Sequence, residues 1–460
     1  MLSTVTVVCT GAAVLSLYVV VLVFYRLFWH PLADFPGPRL AAATVWYEFY
    51  YDGIKGGQYT FKIQELHDKY GPIVRISPNE LHCNDPAFVD TLYAGGSVRR
   101  DKYEYYTGQF NVSESAFGTV HHDHHRLRRS AINRYFSKAS VAKLEPIIHD
   151  KVEKLCHQLY THLGDDQPVK LDMAFSCFTT DVVTIYAFDK CYDFLSDASF
   201  RRNLHGSIVA GTDLGHYTKQ FPFLFPLMHH VPDSFVKALN PQIGVYLQYQ
   251  RDLAAQIREL RGQREMGDIV GKEYDLPATI FHELMESNLP DKEKTDTRLW
   301  QEGQTIVGAG TETTAWTLAV LFFYVLNNRD MYEKLMAELA GAIPDATSRP
   351  AYNDLEKLPY LIGLRLSYGV CSRLQRISPD GPMVYRPSDA VDASKSEYII
   401  PRGTPVGMTS VLIHNNPDLF PRPLAFDPKR WLDAEGQRDR TLEKYIMSFS
   451  RGSRRCIGIK

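Results

Sequence analysis

Residues 449–460 read FSRGSRRCIGIK, and this stretch is the strongest indication of the fold in the 460-residue chain. Cys456 lies in a loop with Gly452 four residues before it and Gly458 two residues after it. Glycines let a backbone approach a flat surface where a β-carbon would collide, and N–H groups near a thiolate tune a metal that it binds. Arg454 can neutralise a carboxylate, and Phe449 can pack beside the sulfur and exclude water. The spacing therefore indicates a thiolate beside a flat, anionic, metal-containing group; the alternative is a free cysteine in a basic loop.

The same stretch meets every fixed position of the pattern Phe-x-x-Gly-x-Arg-x-Cys-x-Gly. It resembles the haem-binding loop of the cytochrome P450 (haem-thiolate monooxygenase) superfamily. The resemblance implies haem (iron protoporphyrin IX) as cofactor and Cys456 as the proximal iron ligand, whose electron donation favours O–O cleavage. It implies that the cofactor is also bound by Phe449, Gly452, Arg454 and Gly458. The implied fold is mainly α with a smaller β region, the cytochrome P450 fold.

The composition fits an ordinary globular enzyme. Hydrophobic residues make up 45% of the chain and charged residues 23%, and the formal net charge is -2. This balance does not suggest a nucleic-acid partner. The seven cysteines are scattered without a CxxC pair, which fits a reducing compartment better than a disulfide framework.

The amino terminus predicts a membrane anchor. Residues 4–24 are 21 consecutive residues without a charge, which matches the ~20 residues that cross a hydrocarbon core. No Lys or Arg precedes them, whereas Arg26 and Arg39 follow, so the positive-inside rule places the rest of the chain in the cytosol. A cleaved signal peptide is the alternative, but a basic start and a small-residue cleavage site are absent.

The predicted organisation has three parts. Residues 1–29 form the single transmembrane helix, residues 30–40 a Pro-rich hinge, and residues 41–460 the haem-thiolate catalytic domain. By the resemblance, the location is the endoplasmic reticulum membrane, single-pass, with a cytosolic catalytic domain. Three prolines and a glycine stiffen and turn the hinge.

Early in the predicted catalytic domain, a β-hairpin is followed by an aromatic loop. Residues 73–76 and 80–83 flank Ser-Pro-Asn, whose turn chemistry predicts the hairpin. Residues 103–120 lack periodicity and are predicted to be a loop. In the family this region covers the substrate, so its aromatic side chains line an apolar pocket or simply pack the loop: Tyr105, Tyr106, Phe110 and Phe117.

Residues 121–129 read HHDHHRLRR. Adjacent histidines on a helix point in different directions, and no carboxylate or cysteine clearly completes a zinc site. The family places an aromatic residue or His four positions before an Arg on a cationic helix that faces the haem propionates. His125 and Arg129 match that spacing and are predicted to bind the cofactor. A solvated basic face is the alternative.

A long apolar segment, residues 301–327, predicts a buried helix whose centre contains poor helix formers. Its residues 309–314, AGTETT, resemble the family signature Ala/Gly-Gly-x-Asp/Glu-Thr-Thr. By that resemblance, Ala309 and Gly310 lie against the macrocycle, Thr313 hydrogen-bonds bound dioxygen, and Glu312 relays protons. A back-bonded hydroxyl can open a local bulge there. A kinked helix with back-bonded threonines and no catalytic role is the alternative.

Apolar residues recur at helical spacing in residues 141–163 and 235–264, which predicts two amphipathic helices. Between them, residues 221–228 read FPFLFPLM. So many hydrophobic residues in a Pro-broken stretch indicate a second membrane contact or a substrate entrance. Ordinary core packing is the alternative.

The chain departs from the family at the Glu-x-x-Arg motif. Arg365 fits the arginine and Arg430 its later partner, but Ile362 stands where the glutamate belongs. Glu356, nine residues upstream of Arg365, falls on the opposite helix face. A buried arginine without its partner would cost about 3–5 kcal/mol.

The end of the chain is the second departure. It stops two residues after Gly458, whereas family members continue with a helix and a β-region, so we expect the C-terminal part to be missing and the domain to be truncated after the haem-binding loop. Upstream, residues 370–376 are expected to pass the substrate and a propionate, with Arg376 as the contact.

The sequence as a whole is similar to fungal microsomal members of the family that act in secondary metabolism, trichodiene-oxygenase-like ones among them. The resemblance implies insertion of one oxygen atom from O2 into a small apolar substrate, a terpenoid or polyketide. Electrons would come from NADPH through the membrane-bound NADPH-cytochrome P450 reductase. One alternative is a haem-thiolate isomerase or dehydratase, a class that tends to lose the acid–Thr pair kept here as Glu312 and Thr313. Another is a truncated, non-functional haem-thiolate protein.

Overall fold

A computed structural model describes residues 4–265, 274, 279–345, 347–367, 373–388 and 397–459. Its contacts divide the chain into two units. The first unit comprises Met1–Tyr106, Cys371–Ile413 and Ser450–Arg454. The second unit comprises Thr107–Val370, His414–Phe449 and Arg455–Lys460.

Helices dominate the described residues, as predicted. The α-helices, in chain order, are α1 Thr4–Phe28, α2 Arg39–Ala43, α3 Trp46–Phe49, α4 Tyr59–Tyr70, α5 Val89–Leu92, α6 Glu104–Thr107, α7 His122–Asn133, α8 Lys138–Ala142, α9 Glu145–Thr161, α10 Leu171–Phe188, α11 His205–Thr218, α12 Leu224–His230, α13 Asp233–Leu239, α14 Pro241–Glu265, α15 Ile280–Glu286, α16 Asp296–Asn327, α17 Arg329–Ala342, α18 Tyr352–Leu355, α19 Pro359–Leu366 and α20 Ser410–His414. The strands are β1 Ile73–Ser77, β2 Glu80–Cys83, β3 Arg376–Ile377, β4 Met383–Tyr385, β5 Tyr398–Ile400 and β6 Pro405–Gly407.

Helix α1 confirms the predicted apolar helix. It contains 25 residues, none of them buried, and by length and composition it can cross a membrane. Two other helical segments meet the same criterion, Leu171–Phe188 and Asp291–Asn327. Leu171–Phe188 belongs to the core of the second unit, where Ala174, Cys177 and Ile185 are fully buried. Membrane identity and orientation stay predictions.

The first unit contains the β-structure. Strands β1 and β2 form the predicted antiparallel hairpin, with Ile73 opposite Cys83. Helix α4 ends before it at Gly71, whose φ of 93° suits glycine. Strand β6 pairs parallel with β2 and antiparallel with β3, giving the order β1-β2-β6-β3. Strands β4 and β5 form a separate antiparallel pair.

The core of the second unit forms where α10, α14 and α15 pack around α16. Leu253, Phe281, Leu299 and Val307 are fully or almost fully buried there. Burying a side chain of this size stabilises a fold by about 1.5–3 kcal/mol. The long helix α16 is therefore fixed by apolar contacts along its first half, which positions the polar residues at its centre.

Three predicted segments differ in detail. The aromatic loop is partly helical, because α6 is followed directly by a 3-10 turn, Gly108–Phe110. The helix predicted for 141–163 begins as the short helix α8 and continues as α9. The helix predicted for 235–264 is broken between α13 and α14 at Asn240, since the next residue is Pro241, which has no N–H to continue a helix but suits its first turn.

Candidate functional site

The cysteine of the 449–460 loop is held at the surface of the second unit. The backbone N–H of Cys456 donates to the carbonyl of Phe449 over 2.8 Å, which closes the loop. The thiol is free and exposed, and the neighbouring Ile457 packs against the core built by α10 and α16. A side chain at Gly458 would come within 4.0 Å of the sulfur. The loop therefore anchors the cysteine while leaving its sulfur accessible.

Arg129 on α7 lies beside that loop. Its Nη1 donates to the carbonyl of Arg455 over 2.7 Å, and its Nε donates to Oδ1 of Asn133 over 2.9 Å. Burial lowers the pKa of Arg129, and the nearby sulfur of Cys456 opposes that shift. His125, one turn earlier, is buried on the same helix. The spacing prediction thus correctly places His125 and Arg129 on one helix; their contact with propionates stays a prediction.

The other histidines of this segment have structural partners. Nε2 of His124 contacts Oε1 of Glu293 at 2.7 Å, and Nε of Arg128 donates to Oε2 of the same carboxylate over 2.6 Å. Within the described ranges, no cluster of three metal-ligating side chains includes a histidine of residues 121–125. The carboxylate therefore ties α7 to the turn before α16.

Arg376 and Arg454 are two of the buried arginines of the first unit. Arg376 donates to the carbonyl of Gln375 over 2.9 Å and to Oγ of Ser450 over 3.3 Å, and its guanidinium lies 5.1 Å from the ring centre of Tyr93. Burial lowers the pKa of Arg376 to about 10. Burial, and then the charge of Arg376, lower the pKa of Arg454 to about 9. Neither cation gains enough from its surroundings to offset desolvation.

Gly452 is required by the first unit itself. Its φ is +69°, a conformation that favours glycine. A β-carbon there would collide with the carbonyl oxygens of Tyr93 and Ala94. The pattern predicted that the backbone at this glycine approaches the cofactor, which stays a prediction. In the structure the approaching group is the 93–94 backbone, so the tight packing of the loop by itself excludes other residues.

The threonines Thr311 and Thr313 at the centre of α16 are hydrogen-bonded within α16 or to α10. The hydroxyl of Thr313 donates back to the carbonyl of Ala309 over 2.8 Å. Buried Thr311 accepts from Thr179 at its carbonyl over 3.0 Å and shares a hydroxyl–hydroxyl bond of 3.1 Å with Thr180. The helix nevertheless runs without interruption through Asp296–Asn327. The back-bonding predicted from the sequence is present, whereas the expected bulge is not.

The small residues of α16 divide between two faces. A β-carbon at Gly310 would lie 2.9 Å from Cγ2 of Val183 on α10, so this glycine serves helix–helix packing. That differs from the expectation that Gly310 faces the cofactor. Ala309 is exposed, and a β-carbon at Gly308 would meet nothing within 4 Å. The open face is therefore formed by Ala309 and Gly308, together with the exposed Thr313.

Glu312 has a partner that the sequence did not indicate. Nδ1 of His205, the first residue of α11, lies 2.9 Å from Oε1 and 3.1 Å from Oε2 of Glu312. Both side chains are half-buried. The two residues are 107 positions apart, and no spacing rule connects them. The sequence around His205 gave no signal for this contact.

The interrupted Glu-x-x-Arg region is arranged differently from the expectation. Arg365 is exposed on α19, so the cost predicted for a buried, unpaired arginine does not arise, and that expectation was wrong. Glu356 pairs with Lys138 at 2.8 Å. Nη2 of Arg430 lies within 3.4 Å of the carbonyls of Pro421, Arg422 and Ala425. Each of these charged groups is therefore either exposed to solvent or paired with a group outside the motif.

Helix α19 is held by groups outside the motif. The carboxylate of Glu338 on α17 accepts the backbone N–H groups of Tyr360 and Leu361, each over 2.8 Å. These are two of the N–H groups that a helix start leaves unpaired. A β-carbon at Gly363 would lie 2.6 Å from the carbonyl of Pro428, so glycine permits close packing on that turn. Residues 370–372 of the predicted substrate-passing segment 370–376 lie outside the described residues.

Each unit, taken by itself, offers groups that suit a flat, anionic, metal-containing ligand. The second unit presents an accessible thiol in a closed glycine-bearing loop, and an open face of small residues on α16. The first unit holds Arg376 fully buried and, within the described part of the chain, without a carboxylate partner. A buried cation without such a partner is stabilised by an anionic ligand. In the second unit, the exposed thiol of Cys456 is a group that can bind a metal once it has lost its proton.

Comparisons with known proteins identify the family. The family model described as Cytochrome P450 matches residues 36–460. Cytochrome P450 monooxygenase tpcC of Cochliobolus heterostrophus is 43% identical over 96% of this chain and 83% of the relative. N-acetyltryptophan 6-hydroxylase ivoC of Emericella nidulans is 40% identical over 96% and 85%, and cytochrome P450 monooxygenase TRI4 of Fusarium sporotrichioides 37% identical over 95% and 81%. The chain belongs to the cytochrome P450 family and is an oxidoreductase with fungal monooxygenase relatives.

Sequence reasoning missed the residues that support this site. They are His205 beside Glu312, Tyr93 and Ser450 beside Arg376, Thr179 and Thr180 beside Thr311, and Glu338 at the start of α19. All of them except Ser450, which lies inside the cysteine loop, are distant in sequence from the motifs. Each of them contacts a polar group of the motif segments that is at least partly buried.

Proposed function

We propose that this protein is a haem-dependent monooxygenase that inserts one oxygen atom from O2 into a small apolar secondary metabolite, a terpenoid or polyketide. The observation that carries the proposal is the accessible Cys456 thiol in a closed loop that meets every position of the family pattern. NADPH supplies the electrons through the NADPH-cytochrome P450 reductase. The partner and the substrate class rest on the family.

Each site residue has a defined task in this proposal. When bound, haem supplies the redox chemistry of oxygen insertion. The thiolate of Cys456 holds the iron, and Phe449 shields the sulfur from water. Arg129 fixes the loop through the Arg455 carbonyl, so that the sulfur keeps its orientation. Gly458 leaves room beside the sulfur, where a side chain would make contact.

Charge and proton handling fall to separate groups. Arg376 and Arg454 of the first unit supply positive charge for carboxylates, and His125 lies with Arg129 on α7. On α16, the small side chain of Ala309 leaves the helix surface open. The Thr313 hydroxyl donates its hydrogen to the Ala309 carbonyl, so its oxygen can still accept a hydrogen bond. Glu312 moves protons as a carboxylate. These roles separate cofactor binding from proton transfer.

The proposed setting is the endoplasmic reticulum membrane, with a cytosolic catalytic domain. Helix α1 supports it, since none of its residues is buried and none carries an acidic group. Phe223 and Leu227 within residues 221–228 are 64% and 52% exposed. Such an exposed apolar group supports a second membrane contact that also admits apolar substrate.

The difference spectrum of the reduced, carbon monoxide-treated protein tests the proposal. The full chain is expected to show the thiolate-type Soret band, and Cys456→Ser is expected to lose it because the hydroxyl does not replace the thiolate. Cys156→Ser is the matched control, since Cys156 is also free and exposed. A wild-type chain that binds no haem would contradict the proposal and favour a protein without monooxygenase activity.

A further inference from the structure

Glu312 is oriented by one histidine at the start of α11. Nδ1 of His205 lies within 3.1 Å of both carboxylate oxygens. The backbone N–H of His205 donates to Oδ1 of Asn203 over 2.9 Å, and Asn203 donates to the carbonyl of Phe200 over 2.7 Å. His205 is therefore the first residue of α11, and hydrogen bonds of Asn203 in the preceding turn fix its backbone.

The second nitrogen of this ring is available to water. The side chain of His205 is 23% exposed and that of Glu312 is 22% exposed. Nε2 of His205 makes no hydrogen bond with any residue that the structure describes. One nitrogen of the ring therefore faces a carboxylate, and the other has no described partner, on a side chain that water partly reaches. Only histidine, among the side chains, can accept a proton at one atom and release a different proton at another near neutral pH.

We propose that His205 delivers protons from solvent to Glu312; this inference rests on the proposed monooxygenase function. In the resting ring, Nδ1–H donates to the Glu312 carboxylate. A hydronium ion gives a proton to Nε2 and becomes water, while the Nδ1 proton passes to Glu312, so that one proton enters the ring and one leaves it. The ring returns to its first tautomer by proton exchange with water. His205 is a positioning and proton-transfer residue that acts through Glu312.

Two substitutions separate proton transfer from positioning. His205→Ala removes both nitrogens. His205→Asn keeps an N–H at about the place of Nδ1, which can still donate to Glu312, but it has no second site that takes up a proton. His157→Gln is the matched control, because His157 is exposed on α9 and has no hydrogen bond within the described ranges.

The measurement needs no identified substrate. Reductase, NADPH and O2 are supplied without substrate, and the reduced oxygen is recovered either as peroxide (one NADPH and one proton per O2) or as water (two NADPH and two protons per O2). Water formation needs the additional protons. We expect both His205 variants to lower the rate of water formation on the order of tenfold and to raise the peroxide share, with His157→Gln unchanged.

A second measurement reads the pair directly. In 15N spectra of histidine-labelled holoprotein, the His205 signals are assigned by their loss in His205→Ala. We expect Nδ1 to carry a proton and this state to change in Glu312→Ala. A ring protonated at Nε2 alone would overturn the inference, since it leaves nothing to donate to the carboxylate.

The outcomes distinguish the two proposals. A wild-type chain without the thiolate-type band overturns the proposed function and the relay with it. A wild-type chain with the band, whose oxygen partition is unchanged in His205→Ala, overturns the relay alone. If His205→Asn restores the wild-type partition that His205→Ala loses, the residue orients Glu312 and transfers no proton, which also overturns the relay.

Discussion

Helices α16 and α19 of the second unit differ in the burial of their charged residues. At the start of α16, Arg298 and Glu302 are both buried and form an ion pair of 2.7 Å, and Glu302 also accepts the backbone N–H of Ala116 over 2.9 Å. On α19, Arg365 has no hydrogen bond or ion pair within the described residues and lies in solvent. On these two helices, the buried arginine has a carboxylate partner and the arginine without one is exposed.

The physical reason is the cost of desolvation. A buried charge loses its water, and the loss is offset only by an opposite charge or by hydrogen bonds. Helix α16 contributes both members of its pair one turn apart. Helix α19 lacks the glutamate of its motif, and its start is instead held by the carboxylate of Glu338 from α17.

The largest effect is expected when the buried ion pair of Arg298 and Glu302 is broken. Glu302→Gln removes the nearer counter-charge of Arg298 and leaves only Glu293, whose Oε2 lies 3.8 Å from Nε of Arg298. We therefore expect the free energy of unfolding to fall by about 3 kcal/mol, the lower end of the cost of breaking a buried ion pair, measured by urea titration. Glu333→Gln is the control, because its partner Arg329 lies on the surface, with exposures of 83% for Arg329 and 59% for Glu333. That control should change stability by less than about 0.5 kcal/mol. Equal losses in both variants would show that burial does not distinguish the pairs.

The second prediction concerns function at the open face of α16. Thr313→Ala removes an exposed hydroxyl that bonds only to its own helix, so stability should change little. Productive oxygen reduction should fall on the order of 10²-fold, as expected for the loss of a positioned proton-transfer group. NADPH consumption and peroxide yield measure it. Thr314→Ala, one position on and also exposed, is the control; an identical loss there would contradict a specific role for Thr313.

A smaller effect is expected where Glu338 meets the start of α19. Glu338→Ala leaves the N–H groups of Tyr360 and Leu361 without their acceptor, which costs about 1–2 kcal/mol, as for the loss of a helix cap. Glu338→Gln keeps one acceptor oxygen and should lose less. Thermal unfolding and amide hydrogen exchange at positions 360 and 361 measure the change. Unaltered exchange in Glu338→Ala would show that the carboxylate does not hold this helix.

The smallest expected effect is at the arginine that lost its motif partner. Arg365→Gln should change the free energy of unfolding by less than about 0.5 kcal/mol, because an exposed side chain away from special features contributes little. Arg430→Gln should cost about 1 kcal/mol, since Arg430 donates to backbone carbonyls. Denaturant titration of the two variants compares them. A larger loss for Arg365→Gln would restore the expectation of a buried arginine.

Local patterns predicted much of the fold correctly. The uncharged run of residues 4–24, the turn chemistry of residues 77–79 and the long apolar run of residues 301–327 each appear as the expected element. Propensity and periodicity act over neighbouring residues, so they can be read along the chain. The helical turns of residues 104–110 were missed because packing decides such short elements. The break at Asn240 was missed although Pro241 is a local signal for it.

The sequence by itself determined the family, the cysteine loop and the polar centre of α16, because these depend on residue types at fixed short spacings. Only the tertiary structure decided that Glu312 meets His205, that Gly310 packs against Val183, and that Arg365 points into solvent. Partners far apart in the chain are chosen by the packing of whole helices and by the cost of burying a charge without a counter-charge. No spacing within a single segment records that choice.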